Sequence, residues 1–135
     1  MKPIIVNQYN IDHVWPQVAD DLQKACIRCG AHHLNAGILW EMCRSNQAFL
    51  ILVMDGTEIM AKGVWRFDRP NNPHVFRCLM FAGKDMSKWL TEHREFISKL
   101  AKQNGATQLV TAGRKGWLKL FPDAEQIGED YEVDL

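Results

Sequence analysis

The stretch from residue 48 to residue 83 constrains this chain more than any other. "AFLILVM" is a continuous apolar run bounded by Asp55-Gly56, a dipeptide suited to a tight hairpin, and "EIMAKGVWRF" follows as the return strand. A second turn, "DRPNNP", leads into "HVFRCLMFAG". The pattern predicts a three-strand antiparallel meander.

Helical periodicity flanks the meander. "KPIIVNQY" reads as a short strand, with Asp12 as the N-cap of a helix starting near residue 12 and Pro16 in its first turn, where a missing N–H does little harm. Trp15, Val18, Leu22, Ala25, Cys26 and Cys29 recur at three-to-four spacing and form its core face, and Gly30 stops it. A second helix is expected over residues 35 to 44, with Ile38, Leu39, Met42 and Cys43 on its stripe. After Gly83, Asp85 is expected to N-cap a helix over 85 to 103 whose apolar face is Met86, Trp89, Leu90, Phe96, Ile97 and Leu100, stopped by Asn104-Gly105. "ATQLVTA" is the next strand, and a long helix between it and the strand near 76 to 82 makes the two parallel. A short helix at 115 to 121 precedes "EDYEVDL", where Tyr131, Val133 and Leu135 alternate with acids as in a half-exposed last strand.

A length of 135 residues suits one domain spanning 1–135, able to fold without metal or disulfide. Sixteen basic residues balance sixteen acidic ones, so no global field draws in nucleic acid or anionic lipid. No apolar run approaches the length of a membrane span and the N-terminal segment has no signal-peptide core, which places the protein in the cytoplasm with free thiols. Cys26, Cys29, His32 and His33 form a Cys-x2-Cys pair beside two imidazoles, but zinc needs four converging ligands and both cysteines fall on the apolar stripe. Buried thiols and no metal are expected; Cys43 and Cys78 also read as core. Trp15, Trp89 and Trp117 sit on core faces, leaving Trp40 and Trp65 as the exposed candidates.

The element order, together with "FRCLMFAGKDMSKWL" (76 to 90) and "VTAGRKGWLKLFPDAEQIGEDYEVDL" (110 to 135), resembles the GNAT superfamily of acyl-CoA-dependent N-acetyltransferases, closest to the small GNAT-like proteins of tailed bacteriophages and prophages. The resemblance implies an α/β (α+β) fold. Its mixed, mostly antiparallel sheet would have one parallel pair of strands splayed at a cofactor cleft and helices on both faces. It implies weak acetyl-CoA binding, on the order of 0.1 to 1 mM, by Leu79, Phe81, Gly83, Lys84, Ser87 and Arg114. The backbone amides of Leu79, Phe81, Gly83 and Lys84 would hold the thioester and pantetheine, and the helix start would hold the pyrophosphate, with Asp85 competing for the same N–H groups.

The family's phosphate glycines are missing, as is a tyrosine at Lys119 to Phe121, so no catalytic residue is assigned. His74 and Glu41 are the nearest candidates for a base. Gly113-Arg114-Lys115-Gly116 has too few glycines, and no following Ser/Thr, for a nucleotide P-loop; it reads as a strand-to-helix turn anchored by Trp117. Two functions follow from the resemblance. One is transfer of an acyl group from acyl-CoA to an amine. The other is a non-catalytic protein of the same fold, virion-associated or directed at a phage or host protein.

Overall fold

The computed structural model describes residues 1–30, 33–69, 74–112, 121, 123–127 and 130–135. The strands are β1 (Lys2–Ile5), β2 (Phe49–Asp55), β3 (Glu58–Phe67), β4 (Val75–Gly83), β5 (Gln108–Ala112), β6 (Glu125–Ile127) and β7 (Asp130–Asp134). The helices are α1 (Ile11–Val14), α2 (Ala19–Cys29), α3 (Ala36–Arg44) and α4 (Leu90–Gln103). One seven-stranded sheet has the order β1-β2-β3-β4-β5-β7-β6. All its described neighbours are antiparallel except β4 and β5, which run parallel with α4 between them in sequence.

The meander forms where its turn chemistry places it. Gly56 adopts φ 59°, the left-handed conformation that glycine reaches without a Cβ penalty, and Asp55 pairs with Glu58 across the turn. β2 reads as an unbroken apolar run because both of its faces are covered. Leu50 and Leu52 pack towards α1, α2 and α3, whereas Ile51 and Val53 pack on the α4 side. Helices therefore cover both faces of the sheet.

The first helix departs from the expected single span. Asp12 lies in the first turn of α1 and is not a cap; its carboxylate accepts from Trp40 Nε1 at 2.8 Å and pairs with Arg44 at 3.1 Å. Pro16 lies in a 3-10 turn, Trp15–Gln17, and Val18 at φ −120° breaks the helix before α2 begins. Gly30 ends α2 as expected, at φ 65°, with its N–H on the Cys26 and Ile27 carbonyls. In α3 only Leu39 and Cys43 are buried, and Ile38 of the expected stripe is exposed. The last strand has an unforeseen antiparallel partner, β6. The turn at 113–116, Trp117 and the expected short helix, apart from Phe121, lie outside the described residues.

Candidate functional site

β4 and β5 pair only from Val75↔Gln108 to Cys78↔Thr111. β4 then continues from Leu79 to Gly83 with no described strand on that edge. Thr111 Oγ1 donates to the Cys78 carbonyl at 3.5 Å, tying the strands together at the point where they part. At the same point the β3–β4 register slips: Val64 faces Met80 and Trp65 faces Cys78, so Leu79 is an extra, bulged residue. Such a bulge bends the strand and raises its local twist where the pairing with β5 ends.

Lys84 donates its backbone N–H to the Met60 carbonyl at 3.0 Å, on the β3 side. Backbone groups alternate along a strand, so the N–H groups of Phe81 and Gly83 point to the opposite edge, towards the gap left by β5. This alternation supplies a physical reason for Phe81 and Gly83 as backbone contacts. It removes the Lys84 amide from the expected set, because that donor belongs to the sheet.

The turn into α4 also differs from expectation. Asp85 adopts φ 52°, ψ 44°, and its side chain caps nothing; a 3-10 turn, Met86–Lys88, follows, and α4 begins only at Leu90, again without a side-chain cap. Trp89, fully buried, donates Nε1–H to the Lys84 carbonyl at 2.7 Å and packs so closely that a Cβ on Gly83 would lie 3.0 Å from its ring. Asp85 takes its left-handed conformation inside the turn that this indole closes, a region Asp reaches more readily than most residues. A Cβ at Gly83 would therefore crowd the tryptophan beneath it. The Lys84 ammonium, exposed, pairs with Glu58 at 2.5 Å, and each raises the other's preference for its charged form. Ser87 is exposed in the 3-10 turn, and Arg114 lies outside the described residues.

No family model matches the sequence, and neither does any curated protein. Solved structures do match the whole chain. An N-acetyltransferase from Staphylococcus aureus Mu50 aligns at a TM-score of 0.68 with 12% identity, over 99% of each chain. The GNAT domain of S. lividans PAT aligns at 0.68 with 11% identity, over 98% of this chain and 89% of that one. This chain has the GNAT fold. A third GNAT-like match, a putative acetyltransferase from Salmonella typhimurium solved with its cofactor acetyl-CoA, aligns at 0.64 with 8% identity over 100% of this chain and 94% of that one. At such identities the likeness concerns the fold, and chemistry must come from the residues.

Two buried polar groups near this GNAT-type strand gap escaped the sequence reading. His93 is 1% exposed, ringed by Trp65, Phe81 and Trp89 at centroid distances of 5.4 to 6.4 Å, and its Nδ1 has no hydrogen-bond partner among the described residues. Burial pushes its pKa down to about 4, which keeps the imidazole neutral. It follows Trp89 and precedes Ile97 at four-residue spacing, a signal that would have marked it as core. Lys62 is 7% exposed within β3, and its ammonium meets Asp21 of α2 at 2.5 Å. A lysine between Ala61 and Gly63 in an apolar strand was the available clue.

The remaining candidates are dispersed. His74 immediately precedes β4, at the end where the strands still pair, and Glu41 is exposed on α3 beside Arg44 at 3.7 Å. Neither reaches the gap. Cys26 is buried but Cys29 is exposed, correcting the expectation that both thiols face the core; His32 lies outside the described residues. Among the described residues no three His, Cys, Asp or Glu side chains converge as metal ligands. Cys43 and Cys78 are core thiols, burial raising Cys43 to about 12. Trp65, one of two candidates for exposure, is 1% exposed and stacks on Phe76 at 5.2 Å, while Trp40 is half-buried under the Arg44 guanidinium. No described helix is long and apolar enough to cross a membrane.

Proposed function

We propose that the chain binds acyl-CoA along the open edge of β4 and transfers the acyl group to an amine. The observation that carries this reading is the parting of β4 from β5 at a bulge, which leaves the Phe81 and Gly83 amides directed into the gap. Acyl-CoA supplies an activated thioester, and the residues fit it along the strand, where backbone groups match an amide-bearing pantetheine arm. Leu79, Phe81 and Gly83 position that arm, and the uncapped 3-10 turn with Ser87 faces the phosphate end. Lys84 contributes charge through its side chain alone, shared with Glu58. Arg114 is retained as a phosphate contact.

The neutral amine attacks the thioester carbonyl, the C–S bond breaks with CoA leaving as its thiolate, and water, in place of a protein acid, carries the proton lost by the amine to that thiolate. Such a site is slow, since a positioned acid or base contributes about 10²–10⁴-fold in rate.

Because Asp85 does not cap the turn, its carboxylate weakens binding by charge and not by occupying N–H groups. Calorimetry should give an acetyl-CoA Kd on the order of 0.1 mM, about −5.5 kcal/mol. Asp85→Gly, which removes both the charge and the left-handed strain, should tighten it about threefold or more. No heat up to millimolar concentration in either protein would overturn this reading.

The commitment of Lys84 to Met60 and Glu58 favours a second reading, a non-catalytic GNAT-fold protein that binds a virion or host protein. That result would place it first.

A further inference from the structure

A groove of about 390 Å³ opens on the α2 side of the sheet, where the start of β3 and the end of β4 meet the exposed face of α2. The charged side chains in its wall are Lys62, Arg28, Lys84 and Asp21. Three are cations and one is a carboxylate. Glu58 offsets Lys84 from outside the groove, and Arg28 has no ion-pair partner among the described residues.

Lys62 is the unusual member. Its side chain is 8% exposed, yet among the described residues its ammonium has a single hydrogen-bond partner, Asp21, whose own side chain is 51% exposed. An ammonium carries three donors, and burying one with donors unfilled costs free energy unless something in the groove accepts them. Asp21 is held ionised, its pKa lowered first by the Lys62 hydrogen bond and charge, with Lys24 and Arg28 adding to the effect. Arg28 thus feels the Asp21 charge, but among the described residues it makes no direct ion pair with it. The groove therefore holds a buried cation with one described partner, beside a second cation that no described carboxylate contacts directly.

We propose that this groove receives an anionic group, a phosphate or carboxylate, and that the amine acceptor carries it. An acceptor that is only a cation would meet net positive charge there; one bearing an anion would meet matched charge. Ala82 and Gly83 line the groove, and the gap left by β5 borders the same end of β4, so the anion site and the acyl-transfer edge are neighbours. The assignment to the acceptor rests on the acyltransfer reading, whereas the anion site rests on the groove alone.

Calorimetric titration of the native protein with O-phosphoserine, inorganic phosphate and ethanolamine tests both parts, each titration being run with and without saturating acetyl-CoA. Phosphoserine should bind, phosphate should bind more weakly, and ethanolamine should not. Arg28→Gln, a change on the exposed face of α2 that leaves the core intact, should weaken phosphoserine about tenfold. Acetyl-CoA should leave phosphoserine binding unchanged. Absence of phosphoserine binding, or binding indifferent to Arg28→Gln, overturns the anion site. Displacement by acetyl-CoA assigns the groove to the cofactor's own phosphates and overturns the acceptor assignment. Phosphoserine binding by a protein that takes up no acetyl-CoA supports the anion site while sinking the acyltransfer reading.

Discussion

The two faces of the sheet solve different problems with different chemistry. The α4 face is built from rings: Trp65 stacks on Phe76 at 5.2 Å, Phe76 meets Phe67 at 4.5 Å, and Trp89, Phe81 and His93 close the cluster under the outer part of β4. The opposite face is aliphatic and thiol-rich, with Leu22, Leu39, Leu50, Val64 and Cys26, and it ends in the charged groove around Lys62. Rings packed to contact leave no freedom, so the α4 face fixes where β4 runs. An ion pair that is open on one side can exchange partners. Rigidity on one face and electrostatic adaptability on the other is how one strand can serve both as support and as binding edge.

A large effect that tests this division should come from Gly63. A Cβ there would lie 2.7 Å from Trp65 Nε1 and 2.9 Å from Phe81 Cδ2, with neither ring able to move away cheaply. Gly63→Ala should cost about 2–3 kcal/mol in urea unfolding, and it should displace Phe81 at the gap. A loss under about 0.5 kcal/mol would mean the aromatic face is loosely packed, and the contrast would fail.

Acid stability probes the same face through His93. The unfolded imidazole takes up a proton below its ordinary pKa of 6.5, while the folded one resists until about pH 4. Between those values the unfolded state binds more protons, so stability falls as pH falls, by an order of about 3 kcal/mol across the window. His93→Phe should flatten that part of the pH profile. A native protein equally stable at pH 7 and pH 4.5 would show that the imidazole has an acceptor or solvent path.

On the other face the expected change is small. Lys62→Met replaces an ammonium with an apolar chain of similar length and frees Asp21 into solvent, so stability should move by no more than about 1 kcal/mol in either direction. If this variant lost more than Gly63→Ala, the groove would be the structural keystone and the rings the adaptable side.

The legible parts of the fold were those determined within a few residues of chain. Asp55-Gly56 marked a hairpin because only local backbone freedom decides it, and Gly30 marked a helix end for the same reason. The parallel pairing of β4 with β5 followed from the length of helix between them. Asp85 was misread as a cap because it lies left-handed in a turn closed by Trp89 on the Lys84 carbonyl, a contact that spacing does not reveal. Lys62 and His93 were overlooked since one polar residue in an apolar pattern looks the same on paper whether it reaches solvent or a partner. The bulge at Leu79, on which the candidate site depends, has no sequence mark here, as no glycine or proline stands at that position.

The strand order also bears on how the chain must emerge during synthesis. β5 lies between β4 and β7, so the inner edge of β4 has its neighbour only after Gln108–Ala112 has been made, and β5 in turn waits for Asp130–Asp134. A ribosome adding about 5–20 residues per second leaves that edge bare for a few seconds. For that interval the nascent meander presents Phe76 and Cys78, both core residues of the finished protein, along an unpaired strand. Holdase chaperones should recognise this window, and pausing translation just before residue 108 should lengthen it.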